Sequence, residues 1–205
     1  MRYAVWGFAL FLAGFHFSGL PCYAPDSAAS RVWIEGRSTV NAFTCEAQEI
    51  EGLGAVEAGQ AVQGQLSVPV RAFDCGKAAM NRDLQVALKA EQFPTIRFVL
   101  GNVRVLEAVG EGAAQLVVWG QLTIAGQTRP VQFTAMGKLL PSGKARLTGS
   151  LPLRLSTFHI PPPTALLGLI RVRDQITVHF DLLVRPLPMQ PCAVVAADSI
   201  NQNQP

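Results

Sequence analysis

The sequence predicts an all-β domain, a sandwich or barrel of seven or eight antiparallel strands with one helix inserted. Three observations carry this. From Arg31 onward polar and apolar residues alternate with period 2, the spacing of a half-buried strand. Short turns rich in Gly, Pro and Ser separate the alternating runs. A single stretch, residues 81–98, departs to helical spacing. With 205 residues, 49% hydrophobic and 15% charged, one core suffices.

Ahead of the alternation, Arg2 is followed by the uncharged run Tyr3 to Leu20, then Pro21 and small residues up to Ser27-Ala28-Ala29. That order is a secretory signal peptide, so residues 1–29 are expected to be a leader cut near Ala29, leaving the mature chain periplasmic or secreted. Gly7, Gly14, His16 and Ser18 dilute the run as a membrane anchor. Gly19-Leu20-Pro21 is also a poor approach to a lipidated Cys22.

Export implies an oxidising compartment. Of the four cysteines, Cys22 is expected to leave with the leader and Cys192 to lie in the tail. Cys45 and Cys75 are expected to form a disulfide worth about 3 kcal/mol on a chain-entropy estimate, the alternative being two buried free thiols. Neither has a second cysteine or a histidine at ligand spacing, so no metal site is expected.

Each strand run has an inward phase. Leu66, Val68, Val70 and Ala72 alternate with Ser67, Pro69, Arg71 and Phe73. Leu116, Val118, Leu122 and Ile124 oppose Gln115, Gln121 and Thr123. Val131, Phe133 and Ala135 repeat the pattern, as do Leu147, Leu151, Leu153 and Leu155. Ile176, Val178, Phe180, Leu182 and Val184 form the clearest run, against Gln175, Thr177, His179 and Asp181. Gly110-Glu111-Gly112, Ala125-Gly126-Gln127 and Pro141-Ser142-Gly143 mark turns between them. Residues 187–205, with Pro188, Pro191 and a polar ending, read as a flexible tail.

In the helical stretch Met80, Leu84, Ala87 and Leu88 recur on one face. Asn81 is the expected cap, Asp83 suits the positive N-terminal end, and Pro94 is expected to end the helix. Thr95 to Leu100 resumes as a strand. Arg82 and Asp83 are expected to pair and hold the helix to the barrel, the alternative being a headgroup contact.

These segments resemble the YceI-like family of exported lipid- and polyisoprenoid-binding proteins. One motif is Arg82-Asp83-Leu84 through Phe93-Pro94-Thr95-Ile96-Arg97-Phe98; another is Trp119 to Val131 with its Leu122-Thr123-Ile124 and Thr128-Arg129-Pro130-Val131; Val172 to Val178 resembles the closing strand. The likeness spans about residues 31–186, and the domain is set at 30–186. Cys45 and the absence of the helix's usual histidine and serine mark a divergent, cysteine-containing branch. The resemblance implies an extended, lipocalin-like antiparallel β-barrel of about eight strands with one inserted helix. Its apolar interior would accept an isoprenoid or fatty-acyl chain, including an isoprenoid quinone.

Binding such a chain requires an enclosed apolar surface, which yields about 0.8 kcal/mol per buried methylene. Phe43, Ile96, Phe98, Leu122, Ile124, Phe133, Leu153 and Phe180 are the candidate lining. In a filled barrel the same residues are simply core. No catalytic residues are assigned: His159 and His179 are single imidazoles, and no nucleophile elbow, phosphate loop or dinucleotide fingerprint occurs. The chain is therefore read as a binding protein with no resident cofactor or metal.

Between Arg129 and Arg185, eight Lys or Arg face Asp174 and Asp181 alone. This basic balance suits strand edges and loops, or docking on an anionic membrane or a protein partner, through which a filled barrel would serve as an envelope interaction module. Nucleic acid is disfavoured, because no aromatics are interleaved with the basic residues.

Overall fold

The computed structural model describes residues 21–47, 49–57, 60–165, 170–188 and 192. The first 20 residues, on which the leader reading chiefly rests, lie outside that set. The strands are β1 (Cys22–Pro25), β2 (Arg31–Ser38), β3 (Ala42–Ala47), β4 (Glu51–Glu57), β5 (Gln60–Pro69) and β6 (Phe73–Asp74), followed after helix α1 (Ala78–Ala87) by β7 (Thr95–Ala108), β8 (Ala113–Ile124), β9 (Gln127–Leu139), β10 (Ala145–Arg154), β11 (Thr164–Ala165) and β12 (Ile170–Pro186).

The pairing order β1-β4-β5-β7-β8-β9-β10-β12 closes on itself because β12 also pairs with β1, with Tyr23 opposite Pro186 and Pro25 opposite Val184. The result is a closed eight-stranded antiparallel barrel, which removes exposed sheet edges. Farther along the same edge of β12, Ile176 to Asp181 pair with β2, which pairs with β3. At that end β3 pairs with the short β6. There the chain leaves β5 at Pro69 and returns at Thr95, and α1 turns Leu84, Ala87 and Leu88 toward the core. We call this the helix end. The opposite turn end carries the β7–β8 and β9–β10 connections.

Period-2 alternation holds wherever a strand is regular, and three of the irregular places change the expected inward faces. Val70–Ala72 is a 3-10 turn rather than strand. Pro69 has no N–H to extend the ladder, and Val70 instead donates to the Pro94 carbonyl at 2.8 Å. The change of period buries both Val70 and Phe73, although alternation had put Phe73 on the polar phase. Leu155 likewise belongs to a 3-10 turn, Leu155–Phe158. Strand β7 runs past Leu100 to Ala108, with register shifts between Leu100 and Asn102 and between Val105 and Glu107. Each shift resets which residues point inward.

The helix is also bounded differently from expectation. It starts at Ala78, with Lys77 at the N-cap position and no side-chain cap. Asn81 braces the preceding loop instead: its Oδ1 accepts from Cys75 N–H at 2.7 Å and its Nδ2 donates to Asp74 at 3.0 Å. The helix stops before Pro94, because Lys89 turns left-handed (φ 53°). Ala90 N–H then bonds the Gln85 carbonyl and Lys89 N–H the Val86 carbonyl. This pair of bonds is a Schellman motif, which satisfies the last carbonyls without proline.

Cys45 and Cys75 are disulfide-bonded, as expected, across 30 residues. Cys22 differs from expectation. It opens β1 and is bonded to Cys192, and the Leu187 N–H donates to its carbonyl at 2.7 Å. A leader ending at Ala29 would remove the strand that closes the barrel, so the barrel starts at Cys22. A four-residue strand followed by small residues has too little periodicity to be told from a leader's exit. The tail reading falls mostly on residues outside the described set, but Cys192 is tied to β1.

Candidate functional site

The inward faces enclose a cavity of about 1090 Å³ running along the barrel, at the upper limit of the about 300–1,000 Å³ usual for ligand pockets. Sequence alone left a filled and a hollow barrel open; the interior here is hollow. All eight candidate residues stand on its wall: Phe43, Ile96, Phe98, Leu122, Ile124, Phe133, Leu153 and Phe180.

Three of these phenylalanines share a local device. Phe43 lies over Gly36, Phe98 over Gly120 and Phe180 over Gly149, each glycine on a neighbouring strand. A Cβ at any of these glycines would collide with the ring. The ring therefore lies flat against the wall instead of projecting into the lumen. Phe133 stands between two of them, with centroids 5.7 Å from Phe98 and 5.6 Å from Phe180. These tilted and edge-on contacts fix an aromatic belt around mid-barrel.

The two ends are closed to different degrees. At the helix end, the 3-10 turn Leu155–Phe158 places Phe158 and then Ile160 in the core, 2% and 3% exposed. Arg129 Nε donates to the Thr157 carbonyl at 3.0 Å. From the other side, Asp174 accepts the Ser156 N–H at 2.7 Å and its hydroxyl at 2.8 Å. These two bonds, the N–H foremost, hold the Asp174 carboxyl below its ordinary pKa. The turn is thus clamped between β9 and β12. Polar wall residues here include Asn41, Lys77, Asp83 and Arg154.

Toward the turn end small side chains join the wall, Gly54, Ala55, Gly64, Ala108, Ala114, Gly137 and Ala145, beside larger ones such as Leu116, Leu147 and Val184. These and the helix residues Met80, Leu84 and Ala87 were missing from the candidate lining. The helical spacing of the latter three was visible in the sequence. The small residues carried a weaker signal, since glycine has no side chain to mark a phase, alanine marks one only inside a run of larger apolar residues, and the β7 shifts break the phase. Val103 and Val105 reach the wall only through those shifts.

Arg82 and Asp83 do not pair among the described residues: Asp83 is on the cavity wall and Arg82 is exposed. Both described histidines, His159 and His179, lie off the cavity wall. His159, left-handed at φ 54°, sits 3.5 Å from Arg129 Nη2. His179 stacks on Trp33 at 5.1 Å and lies 3.4 Å from Glu35 on the outer face. No group of three His, Cys, Asp or Glu suited to a metal occurs among the described residues.

The profile of the YceI-like domain matches residues 23–184. Solved structures share the fold. Burkholderia cenocepacia BcnA is 21% identical over 78% of this chain and 99% of its own, with a TM-score of 0.62. A polyisoprenoid binding domain from Saccharophagus degradans, implicated in plant cell wall breakdown, is 14% identical over 80% and 98%, with a TM-score of 0.65. The Campylobacter jejuni YCEI protein is 15% identical over 69% and 82%, with a TM-score of 0.54. No curated protein sequence matches the chain. At these identities the likeness is one of fold.

Proposed function

The chain belongs to the YceI-like domain family, and from that premise we propose that it is an exported binding protein. It sequesters or carries a long-chain amphiphilic lipid, a polyisoprenoid, isoprenoid quinone or fatty-acyl compound, inside the barrel. The observation that carries this reading is the apolar cavity of about 1090 Å³ with its belt of Phe98, Phe133 and Phe180. An apolar chain entering it loses water along its whole length, at about 0.8 kcal/mol per methylene. No nucleophile or metal is required for this, so the protein acts by binding rather than catalysis.

Two disulfides, Cys22–Cys192 and Cys45–Cys75, support residence in an oxidising compartment, periplasmic or extracellular. The lipid reading is tested by organic extraction and native mass spectrometry of the purified protein. A bound lipid of one long-chain class is expected, and its recovery should fall when Phe133 is replaced by Glu. Protein that purifies empty and takes up no long-chain fluorescent probe overturns the reading.

A further inference from the structure

The cavity wall reaches solvent at the turn end through apolar residues. Val105 and Leu139 line the cavity and are nevertheless 50% and 65% exposed. Beside them Leu106 and Val109 are 53% and 49% exposed. Backbone bonds join the β7–β8 turn to the end of β9: Val109 N–H donates to the Ala113 carbonyl and Leu139 N–H to that of Gly112, at 2.9 and 2.7 Å. Four large aliphatic side chains thus cluster at one end of an apolar cavity, two of them on its wall. The remaining strongly exposed aliphatics among the described residues, Val40 and Val86, are at the helix end; Val40 also lines the cavity there, but as a single side chain and not in a cluster. Val86 has Arg82, Asp83 and Lys89 as its helical neighbours.

Charges at the rim are mixed and carry no basic excess: Lys138 and Lys144 stand with Glu107 and Glu111, and Lys144 lies 3.9 Å from Asp26. Electrostatic attraction therefore supplies no preference for an anionic partner. Clustered apolar exposure of this kind marks an interaction surface. Continuity with the cavity identifies the partner, because what covers the rim must also be able to pass an apolar chain across it without exposing that chain to water.

We infer that the corner formed by Val105, Leu106, Val109 and Leu139 seats on the surface of a lipid bilayer, so that a lipid moves between membrane and barrel through the turn end. The inference rests on the lipid-binding reading and adds to it the route and the membrane contact. Driven by apolar insertion, the contact is insensitive to salt and independent of the basic residues Arg171 and Arg173, which lie at the helix end.

The test is flotation of the full chain with neutral phosphatidylcholine vesicles at low and high salt. Wild type should float in both, and Leu106→Asp/Val109→Asp should reduce partitioning by at least about tenfold, since withdrawing even one buried leucine is worth more than a factor of ten. Both sites are exposed and off the cavity wall, so its melting temperature should be unchanged; its lipid content on purification should also stay the same, while transfer to acceptor vesicles slows. Arg171→Glu/Arg173→Glu should float as wild type does. Protein that retains lipid but does not float overturns the inference and leaves the lipid-binding reading standing. Flotation equal in Leu106→Asp/Val109→Asp, or salt-sensitive flotation lost in Arg171→Glu/Arg173→Glu, overturns it in favour of the helix end. A wild-type dimer that Leu106→Asp/Val109→Asp dissociates shows that a second copy covers the rim, and also overturns it.

Discussion

At the helix end of the barrel Val70, Phe73, Leu88, Phe158 and Ile160 are all 5% exposed or less, and every one of them lies outside or at the edge of the long strands. At the turn end the long strands run on as β7–β8 and β9–β10 hairpins, where several wall positions are alanine or glycine, Leu116 and Leu147 are only half-buried, and Val105 and Leu139 stand exposed. Regular strands cannot fill the end of their own barrel, because their side chains point radially. Filling requires backbone that turns across the axis, here two 3-10 turns and a helix. Stability is accordingly concentrated where regularity is lost, and space is kept where it persists.

The largest effect expected from this contrast comes from Phe158→Ala, which should cost about 3–5 kcal/mol as a buried aromatic removed from a site that cannot collapse. Leu139→Ala, equally apolar but at the turn end, should change stability by about 0.5 kcal/mol or less. Urea unfolding of both variants decides it, and equal losses would mean that the two ends share one packing.

A smaller effect is expected between the ends. Gly149→Ala puts a methyl against the Phe180 ring, which must swing into the lumen, at about 1–3 kcal/mol for an overpacked site. Recovered lipid should fall together with stability. A melting temperature and lipid content both equal to wild type would show that the ring beds are not needed to keep the lumen open.

The smallest effect concerns pH. Asp174, Asp74 and Asp181 are each held below the ordinary carboxylate pKa, by hydrogen bonds chiefly from the Ser156 N–H, the Asn81 side chain and Arg146 respectively. A depressed folded-state pKa contributes stability above the unfolded value of about 3.9, lost as pH falls through the folded value. Melting temperature should therefore hold from pH 7 to about 5 and fall below about 4. Asp174→Asn should flatten part of that acid limb, and it should loosen the helix end only, visible as faster amide exchange at Ser156 to Ile160 with the β7–β8 turn unchanged. Faster exchange at both ends would show that the clamp on the 3-10 turn supports the whole barrel.

Much of this was legible in the residues. The inward phases of β8, β9, β10 and β12, the Ala125-Gly126 hairpin with both residues at positive φ, and the helical face of Met80, Leu84 and Ala87 all follow from local spacing. Asn81 misled, because a residue that suits a helix cap suits equally well a brace for the Cys75 loop. Cys22 misled because its partners, Ala55 on β4 and Cys192, lie far along the chain.

Local periodicity by itself determined the strands, their inward faces and the class of fold, since the alternation of side chains across a strand is a property of neighbouring residues. Only the tertiary structure decided that residues 23 and 186 meet to close the sheet, that the shifts in β7 bring Val103 and Val105 to the wall, and that the interior is hollow. Closure and volume depend on which distant strands pair and in what register, and no stretch of sequence contains both partners of those contacts.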